Sequence, residues 1–145
     1  MTTTITIART PATAQVGDHL PPLTFGPISR KTLALYAGAS ADHNPIHIDL
    51  DFAREAGMDD VFAHGMLSMA QLGRLVTGWA GQSRLRGLSS RFTAITPVGA
   101  TVTCTGTVSD RLEQHGRVLL TLALAAHIDD GTRTLRGEAK VCGTP

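Results

Sequence analysis

Two periods divide this chain. Across residues 65–80 apolar side chains recur three and four positions apart, at Met66, Met69, Leu72, Val76 and Trp79, with Leu67, Ala70 and Leu75 widening the stripe. That is the spacing of an α-helix face, and a helix this apolar, with Gln71 and Arg74 away from the centre of the stripe, is expected to be covered on most sides. From residue 101 onward the period falls to two. Residues 101–109 set Val102, Cys104, Gly106 and Val108 against threonines and Ser109. Residues 118–128 set Val118, Leu120, Leu122, Leu124 and Ala126 against Leu119, Thr121, Ala123 and Ala125. Residues 133–141 set Leu135, Gly137, Ala139 and Val141 against Thr134, Arg136, Glu138 and Lys140. Alternation of this kind predicts strands. Residues 84–95 predict one more, and Glu113-Gln114-His115-Gly116 and Asp129-Asp130-Gly131 predict hairpin turns.

The first half is patterned more weakly. Residues 1–15, rich in Thr and Ala, are expected to form a flexible segment. Residues 16–25 predict a strand that Pro21-Pro22 confines to an edge. Ser29 is a helix N-cap, with Ile28 and Leu33 placed for a hydrophobic staple and Gly38 as the stop. Asp49 caps a second short helix through Phe52, Ala53 and Ala56, which Gly57 ends. The order is therefore strand, short helices, one long helix, then four strands in a meander. Packing that order economically gives one α+β domain over residues 16–145, an antiparallel sheet wrapped around one long central helix, the arrangement called a hot dog fold. Its uncovered edge and apolar helix favour pairing with a second subunit.

Composition narrows the partners. At 145 residues with 42% hydrophobic and 17% charged side chains, the chain is an ordinary globular domain. A net charge of +1, scattered arginines and 4% aromatics argue against nucleic acid. The N-terminus lacks the basic and apolar regions of a signal peptide, and Gln71 and Arg74 interrupt the most apolar helix, so no membrane span and a cytoplasmic location are expected. Cys104 and Cys142 fit no metal or redox spacing and read as small reduced residues.

The chemistry-bearing stretch is Ala41-Asp42-His43-Asn44-Pro45-Ile46-His47. Pro45 biases it toward a fixed loop rather than a helical turn, on which Asp42 and His47 can converge while Asn44 binds backbone. Ordinary turn chemistry explains Asp-x-Asn-Pro as well. A metal is the second alternative, through His43 and His47 with Asp42, Asp49 and His64 nearby. However, a His-x-x-x-His pair needs one helix face and Pro45 sits inside it, so no metal and no cofactor are expected. At His64-Gly65 a helix begins, where free amides suit a developing oxyanion and Gly65 leaves them open to a ligand. Close helix packing would also explain Gly65.

The run from Tyr36 to His47, with Ala63-His64-Gly65-Met66-Leu67, resembles the MaoC-like (R)-specific enoyl-CoA hydratase and dehydratase family. The similarity extends from Val16-Gly17-Asp18 through Arg91-Phe92-Thr93 to Pro97-Val98-Gly99. Among family members the chain is most similar to hydratase subunits of bacterial type II fatty-acid or mycolic-acid synthesis. The resemblance implies a hot dog fold, dimers, Asp42 and His47 as the catalytic pair, and the Gly65 amide as oxyanion donor. Asn44, Pro45, His64 and Met66, which flank these three, are expected to line the substrate. Two positions depart from the family pattern: Ala41 stands where Gly usually precedes the Asp, and Ala100 where an Asp commonly follows Pro-x-Gly.

The implied activity is reversible hydration of a trans-2-enoyl thioester, on CoA or acyl carrier protein, to the (R)-3-hydroxyacyl thioester. The alternatives are a hot dog thioesterase, and a subunit of a heteromeric dehydratase that supports a catalytic paralogue. On this reading the dimer is either of like chains or of paralogues, and Arg84, Arg86 and Arg91 are either carrier-phosphate contacts or a solvated strand face.

Overall fold

Five antiparallel strands wrap one long helix in the computed structural model, which describes residue 7 and residues 10–144. In chain order the elements are β1 (Leu23–Phe25), α1 (Arg30–Ser40), a 3-10 turn (Pro45–His47), α2 (Leu50–Glu55), α3 (Gly65–Ala80), a 3-10 turn (Gln82–Arg84), β2 (Leu85–Phe92), β3 (Val102–Gln114), β4 (Arg117–Ile128) and β5 (Arg133–Cys142). Of the segment expected to be flexible, residues 1–6, 8 and 9 lie outside the described residues. Thr10 O accepts from the amides of Thr13 and Ala14, and Ala14 is buried.

The sheet order is β1-β3-β4-β5-β2, so the four-strand meander expected from sequence fails at its first strand. β3, β4 and β5 are consecutive hairpins, but β2 pairs with β5 at the far edge, Leu88 opposite Ala139 and Phe92 opposite Leu135. The connection before β3 carries the chain across, pinned by Ala63 N to Thr96 O at 2.9 Å, Gly99 N to Ile28 O at 2.6 Å and Thr101 N to Asp129 Oδ2 at 2.8 Å. The strand expected over residues 16–25 shrinks to three residues. Gly17 and Leu20 still donate to Val108 O and Gly106 O, but Pro21 and Pro22 have no amide to continue the ladder. At the β3–β4 hairpin His115 and Gly116 both take positive φ, 51° and 73°, the geometry of a two-residue primed turn.

The core lies between the sheet and α3. Val102, Cys104 and Val108, then Leu120, Leu122, Leu124 and Ala126, then Leu135, Ala139 and Val141 are all buried on one sheet face. They meet Leu67, Leu72, Leu75 and Val76 of α3, and each such Leu or Val buried is worth roughly 1.5–3 kcal/mol. Gly106 lets the helix seat: a Cβ there would lie 3.1 Å from Leu124 Cδ2, 3.2 Å from Leu20 Cδ2 and 3.5 Å from Leu75 Cδ2.

The buried side of α3 holds most of the expected stripe but is rotated off Met66 and Ala70 and onto Gln71. Met66 is 52% exposed, and Ala70, Arg74 and Gly78 on the same side are exposed too, whereas Gln71 is buried with Oε1 accepting from Arg74 Nη1 at 2.7 Å. This single chain therefore leaves one stripe of α3 open, along Met66, Ala70, Arg74 and Gly78. Among the described residues no helix is long and apolar enough to cross a membrane.

Candidate active site

α1 delivers the chain to the site. Ser29 Oγ accepts from Thr32 N at 3.1 Å, as an N-cap should, and Leu33 and Ala37 are buried. The helix runs through Gly38, the expected stop, to Ser40. Its end is made instead by Ser40, whose Oγ donates to Tyr36 O (2.7 Å) and accepts from Asp42 N (3.3 Å), and by Ala41 in the left-handed region at φ 58°, ψ 17°.

Beyond it each side chain caps the next piece of backbone. Asp42 Oδ1 accepts from Asn44 N (3.3 Å), Asn44 Oδ1 from Ile46 N (3.1 Å), and Asp49 Oδ1 from the amides of Asp51 and Phe52 (3.0 and 3.2 Å). Pro45–His47 is a single 3-10 turn, a correction to the non-helical loop expected there. Pro at the first helical position loses no hydrogen bond, because that amide has no intrahelical acceptor anyway.

His47 is buried, and its Nδ1 lies 2.7 Å from Phe62 O. A carbonyl only accepts, so Nδ1 carries a hydrogen, and in the neutral ring the lone pair is on Nε2. Asp42, His47 and His64 each offer a carboxylate oxygen or ring nitrogen within 4.8 Å of the others. His43 is exposed and lies outside this cluster. The His64 ring stacks on His47 with centroids 4.0 Å apart and planes at 30°, and Tyr36 meets it edge-on at 4.9 Å. His64 Nε2 lies 3.1 Å from Asp42 O, so that ring nitrogen is already engaged. Burial, reinforced by the Asp42 carboxylate, raises the Tyr36 hydroxyl above its usual pKa.

His64 occupies the N-cap position of α3 but makes no side-chain capping bond. The first-turn amides therefore have no side-chain acceptor among the described residues, and Gly65 and Met66 are both exposed there. The Phe92 ring packs on Gly65 from β2. Asn44 and Pro45 are exposed on the rim. Phe62, Thr96 and Phe92 were not legible as site residues. Phe62 and Thr96 act through backbone carbonyls, which every residue type has, and Phe92 arrives from the sheet's far edge. Of the three arginines, Arg84 donates to Gly143 O (2.8 Å) and Arg86 to Ser83 O (2.6 Å), while Arg91 stands opposite Arg136 across the β2–β5 pair.

Comparison with known proteins follows the same lines. The structure of the R-hydratase PhaJ1 from Pseudomonas aeruginosa superposes with a TM-score of 0.81 at 25% identity, over 94% of this chain and 86% of that one. The (R)-specific enoyl-CoA hydratase of Rhodospirillum rubrum is 36% identical over 84 residues, 57% of this chain and 58% of that protein. The fatty acid synthase subunit beta of Aspergillus oryzae is 35% identical over 114 residues, 74% of this chain but 5% of that protein. The chain thus spans little more than half of one curated relative and a small part of the other. A family model described as MaoC like domain matches residues 11–127, and the chain belongs to that family, with its hot dog fold.

Proposed function

We propose that the chain is a hydro-lyase that adds water to a trans-2-enoyl thioester to give the (R)-3-hydroxyacyl thioester, and runs the reverse dehydration. The observation carrying this reading is the Phe62 carbonyl on His47 Nδ1, which leaves Nε2 of the neutral ring as the acceptor in a cluster with the Asp42 carboxylate. A water held between them gives one proton to Nε2 as its oxygen bonds to C3. The C2=C3 π electrons shift toward the thioester, and the charge growing on its oxygen is met by the Gly65 amide at the start of α3. The Asp42–His47 pair returns a proton to C2 on the same face, so addition is syn. Asn44 and Pro45 hold the turn that carries the pair, Met66 lines the thioester beside Gly65, and His64 stands behind both reacting groups. The relative from Rhodospirillum rubrum, an (R)-specific enoyl-CoA hydratase by name, supports the substrate class.

Assembly belongs to the same reading. The edge strand β2, Phe92 at 51% exposure and the open side of α3 with Met66 would be covered in a dimer of like chains or paralogues, with the site near the boundary. The test is turnover of trans-2-enoyl-CoAs of graded chain length, with light scattering on the same sample and the product's C3 configuration read by a stereospecific 3-hydroxyacyl-CoA dehydrogenase. Free thiol release without hydration would select the thioesterase instead. A monomer that turns over substrate would overturn the dimer.

A further inference from the structure

We propose that His64 is a positioning residue that holds the Asp42 main chain and backs the His47 ring, and that Ser68 completes this support from one turn further along α3. The inference rests on Asp42 and His47 being the reacting groups. His64 is 1% exposed, so its ring reaches the site only through its neighbours. Its Nε2 lies 3.1 Å from Asp42 O, and since that carbonyl only accepts, Nε2 carries the hydrogen. The same ring stacks on His47 at 4.0 Å. One imidazole thus ties the backbone of the first reacting residue to the ring of the second, across a loop that Pro45 and three side-chain caps already stiffen.

The other edge of the ring gives the second half. With the hydrogen on Nε2, a neutral His64 leaves Nδ1 as a bare acceptor, and Nδ1 is buried with no partner. Ser68 Oγ is likewise buried with no partner, and Ser68 is fully buried. His64 is the N-cap of α3 and Ser68 follows four positions on, where the helix begins its second turn. In the proposed arrangement the Ser68 hydroxyl turns toward Nδ1, which would make a line from Ser68 Oγ–H to Nδ1 and from Nε2–H to Asp42 O. The ionisable groups facing His64 are Tyr36 from α1 and Asp42 and His47 from the loop. Burial, the largest influence, holds His64 below its ordinary 6.5, and His47 adds to that; the Asp42 carbonyl and carboxylate oppose it. The site then contains one working imidazole, with the second serving as a fixed strut.

Two independent measurements test this. Nitrogen-15 NMR of the imidazoles in the whole protein, followed from pH 8 to 5.5, should show His64 neutral and hydrogenated on Nε2 at pH 7, with its Nδ1 signal shifted by Ser68→Ala. A His64 that is an imidazolium at pH 7, or hydrogenated on Nδ1, would overturn the proposal. This arm needs no turnover, so it stands even if no enoyl thioester is hydrated, and a failed hydratase reading is told apart from a failed strut. In the kinetic arm His64→Leu should lower kcat by about 10–100-fold with KM little changed, the scale of losing an outer support. His64→Gln, whose amide can donate to the same carbonyl, should regain most of it. Folded His64→Leu protein with wild-type kcat would overturn the proposal. If His64→Leu does not fold, recovery of kcat in His64→Gln together with the NMR result decides.

Discussion

The Phe92 ring occupies the space in which a side chain at Gly65 would begin: a Cβ there would lie 2.7 Å from Cε1 and 2.9 Å from Cδ1. Glycine at this position therefore answers two demands, close approach of β2 and an unobstructed amide. They can be separated. Gly65→Ala keeps the N–H and meets the Phe92 ring first, a crowding that Phe92→Ala should relieve. Gly65→Pro removes the N–H as well, and His64 with ψ 128° already has the backbone a following proline needs. In the Phe92→Ala background Gly65→Pro should lose about 10²–10³ in kcat relative to Gly65→Ala. Equal rates would place the oxyanion donor elsewhere.

Asp42 and His47 should behave as a unit. Asp42→Asn and His47→Gln are each expected to reduce kcat by at least about 10²-fold, within the range of acid–base groups. The double variant should fall little further, because losses within one catalytic unit do not add. A thermal melt of each variant separates lost chemistry from lost structure. Independent, multiplying losses would mean that the two do not share a water.

Ala41 carries a backbone cost. At φ 58° it sits where a Cβ is disfavoured, and it is the helix C-cap immediately before Asp42. Ala41→Gly should raise stability by about 1 kcal/mol, read as the denaturant midpoint at constant slope. A lower midpoint would show that the loop's caps hold Ala41 without strain.

Acid should weaken the fold through His64. Its folded pKa is depressed below 6.5 by burial, so as pH falls the unfolded chain takes up that proton before the folded one does. The stability His64 contributes is fully present above 6.5 and is lost as pH falls through the depressed folded value. The melting temperature of the wild type should drop across this window by more than that of His64→Gln, which has nothing to titrate. Parallel curves would mean that His64 ionises freely in the folded protein.

Exhaustive chelation should leave both turnover and melting temperature unchanged, because one nitrogen of each imidazole is engaged by a backbone carbonyl and the two rings stack face to face rather than converging edge-on. Activity lost to a chelator and restored by zinc would turn Asp42, His47 and His64 into a metal site.

Much of the local structure was readable along the chain. The spacing of apolar residues marks α3 over Gly65–Ala80, Ser29 and Asp49 cap the helices they precede, and β4 alternates as drawn from its leucines. Asp42 and His47 are brought together by a turn closed within six residues, each cap bonding to an amide two positions on. Signals of this kind depend on which side chain stands near which backbone group in sequence, so composition and spacing carry them. Tertiary structure alone decided the rest. The stripe read on α3 includes Leu67, Leu72, Leu75 and Val76, which the sheet does bury, but it also includes Met66 and Ala70, which stay exposed, and omits Gln71, which is buried, because the buried side is set by what the helix lies against. β2 left the meander for the edge beside β5, where it brings Phe92 onto Gly65. His47 takes its tautomer from Phe62 O, and His64 reaches Asp42 O across 22 residues. These contacts are made by carbonyls common to every residue, or by strands that meet only after long loops close, and neither leaves a local mark in the order of the side chains.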